Sequence, residues 1–301
     1  MAYTQLSPRH TPGARVEEIS RESSHYRLSI PSGAANSYRL AQLDDYTLFS
    51  RRRFPHRNPF SLSLSARTSS DSIPGTWGFG LWNDPFGLSL GFGGSPFRLP
   101  ALPNAVWFFG ASEENYLSFR DGLHPERSEA QTKGASSASG ADIAPPSAPP
   151  SGTSQRGTAA NGFIAQAFRA PKFHPLLILA GLALPFSRQT TRRLLSRVIE
   201  EDGVQLRRDD PSGSAKNLNQ PWRVAPTDWH RYRLDWREKQ VAFEVDGALV
   251  FESPVSPNPP LGLVVWIDNQ YAAFSPEGKI GFGVLANPEL AWLEVKEIEL
   301  K

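Results

Sequence analysis

The chain has 301 residues, 39% of them hydrophobic, and 32 Lys and Arg against 30 Asp and Glu give a formal net charge of +2. That balance excludes a dedicated nucleic-acid surface, and the absence of cysteine excludes disulfides, thiolate metal sites and a cysteine nucleophile. The length allows one large β-domain or two small ones, and no apolar leader is visible at the N-terminus, so a cytoplasmic product is expected.

Residues 1–24 are polar and are expected to be loosely ordered, with one domain over 25–301. Short strand signals follow in "HYRLSI", "SYRLAQL" and "TLFSRRRF". In "PFSLSLSAR", Phe60, Leu62, Leu64 and Ala66 alternate with Ser61, Ser63, Ser65 and Arg67, the period of a half-buried strand. "GTWGFGLW" keeps the same period. Trp77, Phe79, Leu81 and Asn83 share a core face, and Gly78, Gly80, Trp82 and Asp84 share the other. Glycine inside a strand marks the close approach of a ligand or of another part of the chain, and both alternatives are open here. "NAVWFFGA" is the next strand.

Composition then changes. Residues 124–160 are rich in Ala, Ser, Pro and Gly and are expected to form a disordered surface insertion. Residues 163–203 read as a helical insertion, in which Leu194, Leu195, Val198 and Ile199 fall on one stripe and Gly203 is a stop signal. This insertion is either a helical hairpin packed on the sandwich or a lid. Because Arg169, Lys172, Arg188, Arg192 and Arg193 flank its apolar block, peripheral membrane contact through 173–199 is a further reading. The block from Phe173 to Phe186 is too short to span a bilayer.

From Trp222 the strands return. Tyr232, Leu234 and Trp236 face one way and Arg231, Arg233 and Asp235 the other, and Asp246-Gly247 makes a tight hairpin turn. Many short strands separated by turn signals indicate an all-β sandwich or jelly roll.

The segment "DWHRYRLDWREKQVAFEVDGALVFES" resembles a hallmark of the concanavalin A-like lectin/glucanase jelly rolls, through Trp229, His230, Tyr232, Trp236, Val245, Asp246 and Gly247. It is most similar to the family-16 glycoside hydrolases, the laminarinases and lichenases. "PLGLVVWIDN" and "AWLEVKEIEL" follow in that family's order, and "GTWGFGLW" looks like the strand before its catalytic strand. The resemblance covers 26–120 and 222–301. It implies a concanavalin A-like jelly-roll β-sandwich, here with an α-helical insertion, and a carbohydrate-binding or carbohydrate-active protein with a glycan ligand. It also implies two carboxylates on one strand, about 5–5.5 Å apart, for a retaining mechanism. The corresponding strand, Asn104 to Ser112, contains no acid. Glu113 and Glu114 are adjacent and point to opposite sides, so the usual double displacement is not expected.

In the resembling family the strand from Leu261 to Tyr271 borders the cleft, which would turn Trp266, Asp268 and Gln270 toward a ligand. Asp268-Asn269 is equally an ordinary turn start. The candidate catalytic residues are Asp84 and Asp268, a cross-strand pair if both strands line one cleft, with one pKa raised to make a general acid. Trp82, Trp107 and Trp266 are candidates to stack on sugar rings, with Asn269 and Gln270 bonding hydroxyls. No metal and no cofactor are expected. His174 lacks a second ligand at zinc spacing, no G-x-S-x-G is present, and His230 belongs to the strand signature. Two other functions fit the residues. One is an intracellular enzyme acting on a hydrophobic small molecule, cyclase- or isomerase-like, in an aromatic cleft covered by the helical insertion. The other is a non-enzymatic interaction or membrane-surface module.

Overall fold

The computed structural model describes residues 6–85, 101–115, 162–171, 198–206, 224–274 and 280–301. The strands in the first half are β1 (Ser7–His10), β2 (Arg15–Ser20), β3 (His25–Ile30), β4 (Leu40–Asp44), β5 (Phe60–Thr68), β6 (Thr76–Trp82), β7 (Ala105–Ala111) and β8 (Gly162–Arg169). The second half adds β9 (Glu200–Gln205), β10 (His230–Trp236), β11 (Val241–Val245), β12 (Ala248–Ser253), β13 (Gly262–Asp268), β14 (Gln270–Phe274), β15 (Ile280–Val284) and β16 (Ala291–Leu300).

Two seven-stranded sheets result. The first runs β1-β4-β13-β6-β7-β8-β9, the second β12-β11-β10-β5-β16-β3-β2, and β14 and β15 form a separate hairpin. Every neighbouring pair is antiparallel. This is the jelly-roll sandwich that the strand signals predict. Leu62, Leu64 and Ala66 of β5 and Tyr232, Leu234 and Trp236 of β10 point inward, where they meet Trp77, Phe79 and Leu81 of β6 and Val106 and Phe108 of β7. Phe79 and Phe108 each lie 5.0 Å from Tyr232, so aromatic contacts join the two sheets.

The hairpin turn is as expected. Asp246 and Gly247 both have positive φ, which a two-residue turn of this type requires. Asp246 also accepts hydrogen bonds from the Arg231 amide at 2.8 Å and bonds the His230 ring at 2.7 Å. His230 is thereby tied into the strand signature.

Other expectations are corrected. The polar segment 1–24 holds the edge strands β1 and β2 within its described residues. "TLFSRRRF" is a loop with a short 3-10 turn at Arg51–Arg53, not a strand. The helical insertion at 163–203 is replaced at both ends by strands, since β8 and β9 pair from Ile164↔Gln205 to Arg169↔Glu200. No α-helix occurs among the described residues. β8 is buried on both faces, with Phe163, Ala165 and Ala167 inward and Ile164 and Phe168 outward. A run apolar on both faces has no period that separates strand from helix. Gly203, expected as a helix stop, sits inside β9 opposite Gln166. The insertion at 124–160 lies outside the described residues. So do residues 172–197, which take in most of the 173–199 block.

The outer face of the second sheet is closed by charge pairing. Glu294 is buried, and against the cost of that burial Arg67 and Arg27 hold its carboxyl below the usual range. The Arg67 guanidinium stacks between Trp229 at 4.8 Å and Trp292 at 5.4 Å.

Candidate functional site

The outer face of the first sheet is different, and strand register sets its contents. Pairing of β13, β6, β7 and β8 aligns Gly262, Trp82, Ala105 and Phe168 in one cross-strand row. The next outward rows are Val264, Gly80, Trp107 and Gln166, then Trp266, Gly78, Phe109 and Ile164. A last row holds Asp268, Thr76 and Ala111. Trp82, Trp107 and Trp266 therefore lie on one face of the sheet.

The three indoles form one cluster. Trp82 and Trp266 are parallel, with centroids 6.0 Å apart and planes 4° apart, and Trp107 lies 5.7 Å from Trp266 and 6.2 Å from Trp82. Phe109 and Phe168 complete it at 5.5 and 5.8 Å from Trp107. The glycines of β6 explain how the rings fit. A Cβ on Gly78 would stand 2.7 Å from the Trp266 ring and 2.5 Å from the Phe108 carbonyl oxygen. The space beside Gly78 is thus taken by Trp266, an approach of the chain to itself. Trp107 and Trp266 are only 2% and 7% exposed, and Trp82 is partly buried. The face is a second apolar core as much as a wall.

Polar groups stand at its two ends. At one end the Trp82 Nε1–H donates to the Tyr46 hydroxyl at 2.7 Å, and Gln42 donates to the same oxygen at 3.2 Å and to Asp44 at 2.8 Å. Burial, then the Asp84 and Asp44 carboxylates, push the Tyr46 phenol well above its usual pKa. At the other end Asp268 accepts from the Thr76 hydroxyl at 2.7 Å, the Tyr38 hydroxyl at 3.2 Å and the Gln270 amide at 3.3 Å. Trp266 donates to Thr76 at 3.0 Å, which links the indole cluster to the acid. Burial raises the Asp268 carboxyl to about 6 despite those hydrogen bonds.

The proposed cross-strand pairing of Asp84 with Asp268 does not occur. Thr76 stands opposite Asp268, and Asp84 lies beyond Trp82 at the far end of β6. Six strand positions separate Trp82 from Thr76, on the order of 20 Å at about 3.3 Å per residue. Asp84 sits in a turn with φ of 48°, its carbonyl held by Arg51. Asn269 belongs to the scaffold. It is fully buried, its Oδ1 accepts from the Arg39 amide at 2.8 Å, and its Nδ2 donates to the Ser37 and Leu285 carbonyls at 3.1 and 2.8 Å. Gln270 is partly buried at the start of β14. Tyr38 and Thr76, which hold Asp268, were not singled out in the sequence. Thr76 shares its face with Gly78 and Gly80, a signal that was available, whereas nothing local marks Tyr38.

The outward positions of β7 carry Ala105, Trp107 and Phe109, and none of them titrates. Asp268 is a carboxyl on this face whose burial brings its proton exchange to about pH 6. The folded chain keeps this proton up to about pH 6. The unfolded chain releases it near pH 4. The folded state therefore binds more protons between these values and loses relative stability as pH rises through them. Asp268→Asn removes that loss. Urea unfolding at pH 4 and pH 7.5 is expected to show the variant gaining about 2–3 kcal/mol on wild type across the window, at about 1.4 kcal/mol per pKa unit. A difference that stays constant with pH would contradict the assignment.

No protein-family model matches the chain, and no curated protein matches it in sequence. Among solved structures, the chain is similar to a family-16 glycoside hydrolase endo-glucanase from Bacteroides ovatus at 8% identity and a TM-score of 0.44, over 100% of this chain and 95% of that one. A glycoside hydrolase family protein from Mycobacterium thermorestibile gives 10% identity and 0.43, over 100% and 94%. The catalytic domain of an endo-1,3-beta-glucanase (laminarinase) from Thermotoga petrophila RKU-1 gives 9% and 0.41, over 96% and 81%. The jelly-roll assignment stands on strand order and register.

Proposed function

We propose that this chain is a carbohydrate-binding or carbohydrate-active jelly-roll protein related to the family-16 glycoside hydrolases, working without a retaining carboxylate pair. One observation carries the reading: Trp82, Trp107, Trp266 and the titrating Asp268 share the outer face of one sheet. Indole faces stack on the C–H faces of sugar rings, and a few polar groups at the edge fix orientation. Trp82 is the most accessible of the three and is the platform in this reading. Asp268, Tyr38 and Gln270 bond hydroxyls at the other end, and any chemistry uses Asp268 as the proton donor. Glycan-array binding with hydrolysis assays on β-glucans tests this. Binding is expected, weakened about tenfold by Trp82→Ala, the scale of one aromatic stacking contact. Silence in both assays overturns it.

The burial of Trp107 and Trp266 favours a second reading. In it the ligand is a hydrophobic small molecule held against the indoles, and Asp268 supplies the proton for an isomerisation or cyclisation. Retention of apolar metabolites alone in an unbiased pull-down selects this reading over the first.

A further inference from the structure

The two carboxyl oxygens of Asp268 have unequal surroundings. Oδ1 accepts from the Thr76 hydroxyl at 2.7 Å and from the Gln270 amide at 3.3 Å, whereas Oδ2 accepts from the Tyr38 hydroxyl at 3.2 Å. The other partner of Thr76 fixes the direction of its bond. Trp266 Nε1–H reaches the same hydroxyl oxygen at 3.0 Å, and an indole nitrogen only donates. Thr76 therefore accepts from Trp266 and gives its one hydrogen to Asp268. Among the described residues that hydrogen has no second acceptor.

These contacts separate the oxygens chemically. Two donors stabilise charge on Oδ1 and one stabilises it on Oδ2, so Oδ2 is the more basic atom. A proton on Oδ1 would break the Thr76 donor bond. A proton on Oδ2 keeps that bond and reverses the contact with Tyr38, because a phenol oxygen accepts as well as donates. We propose that Thr76 is the positioning residue of this acid: it holds Oδ1 as an acceptor and places the proton of Asp268 on Oδ2, against Tyr38. Oδ2 is then the donating atom, an assignment that rests on the reading of Asp268 as the proton donor of this face. When the proton leaves, the O–H bond breaks with its electron pair kept by Oδ2, and the Tyr38 O–H turns to donate to the carboxylate. Burial, then the Asp268 charge, hold the Tyr38 phenol well above its usual pKa, so Tyr38 stays protonated throughout. Leu40 and Thr76 flank Asp268 in the sheet, Tyr38 is the titratable group that bonds it, and Arg9 is the charged side chain acting on Tyr38.

Carbon-13 and nitrogen-15 resonances of the full chain, without ligand, test the proposal between about pH 4 and 8. The Asp268 carboxyl carbon is expected to titrate at about 6, and the Trp266 Nε1–H signal to move with the same midpoint. The coupling arises because ionisation of Asp268 polarises Thr76 and strengthens the bond from Trp266. Thr76 bonds the ion more strongly than the neutral acid, so Thr76→Val is expected to raise the carboxyl midpoint by about one pH unit. It is also expected to abolish the titration of Trp266, whereas Thr76→Ser keeps the hydroxyl and retains both. Tyr38 bonds the acid in both of its states, so Tyr38→Phe is expected to move the midpoint by less than about half a pH unit. The indole titration is expected to survive in that variant. A rise of about one pH unit in Tyr38→Phe would put the proton on Oδ1 and overturn the proposal. So would a wild-type Trp266 signal indifferent to pH. The wild-type and Tyr38→Phe arms decide the assignment even where Thr76→Val does not fold. Silence on a glycan array would overturn the proposed ligand and leave these signals in place.

Discussion

Gly80→Ala is expected to lower the unfolding free energy by about 3 kcal/mol, the upper end of the usual cost of overpacking. A Cβ at this position would stand 2.3 Å from the Val106 carbonyl oxygen and 2.6 Å from Trp107 Cα. These are backbone atoms of β7, paired residue by residue with β6, so neither can yield without opening the ladder. The same movement would displace the Trp107 indole from Trp82 and Trp266. A reduced urea midpoint together with altered near-ultraviolet circular dichroism is the expected result. A variant within about 0.5 kcal/mol of wild type, the range of an ordinary surface change, would contradict this account of the glycine.

The second large effect falls on Asp45. Its carboxylate accepts the Leu263 amide at 2.9 Å and meets His56 Nε2 at 2.5 Å, with both side chains buried. His56 in turn exchanges backbone hydrogen bonds with Leu261, both at 3.0 Å, just before β13 begins. Asp45→Ala strands a buried imidazole and a buried strand amide together. A loss of about 3–5 kcal/mol is expected, the cost of removing one partner of a buried pair. Asp45→Asn keeps an oxygen for Leu263 and is expected to lose clearly less. Chemical denaturation of the two variants checks this, and equal losses would show that the amide contact contributes nothing.

Where the two faces of a strand differ chemically, the sequence was legible. β5, β6 and β10 alternate side-chain character, and the parity read from them holds in the sandwich. β8 was not legible, because Ile164 and Phe168 outward are as apolar as Phe163 and Ala165 inward. Ile199 was read on a helical stripe, yet it is buried at the threshold of β9. The loop after β4 was read as a strand signal in "TLFSRRRF". Capture of the Tyr46 and Thr47 amides by Asp44 turns the chain there instead.

The site shows the same division. Counting by twos gives the parity of Trp82 and Trp266 in their own strands, while the register of β6 with β7 and β13 brings Trp107 to the same face. The pairing of Asp84 with Asp268 depended on the offset between two strands far apart in sequence, and no local signal gives that offset. Register put Thr76, not Asp84, opposite Asp268. Tyr38 reaches Asp268 across 230 positions of chain, a contact that only the closed sandwich creates.

The indole resonances of the uniformly 15N-labelled chain test the central claim most directly. On titration with β-glucan oligosaccharides, the Nε1–H signals of Trp82, Trp107 and Trp266 are expected to shift together. Those of Trp229 and Trp292, stacked on Arg67 over the second sheet, are expected to stay. Shifts confined to Trp229 and Trp292, or no shift with any oligosaccharide, would contradict a ligand site on the aromatic face of the first sheet.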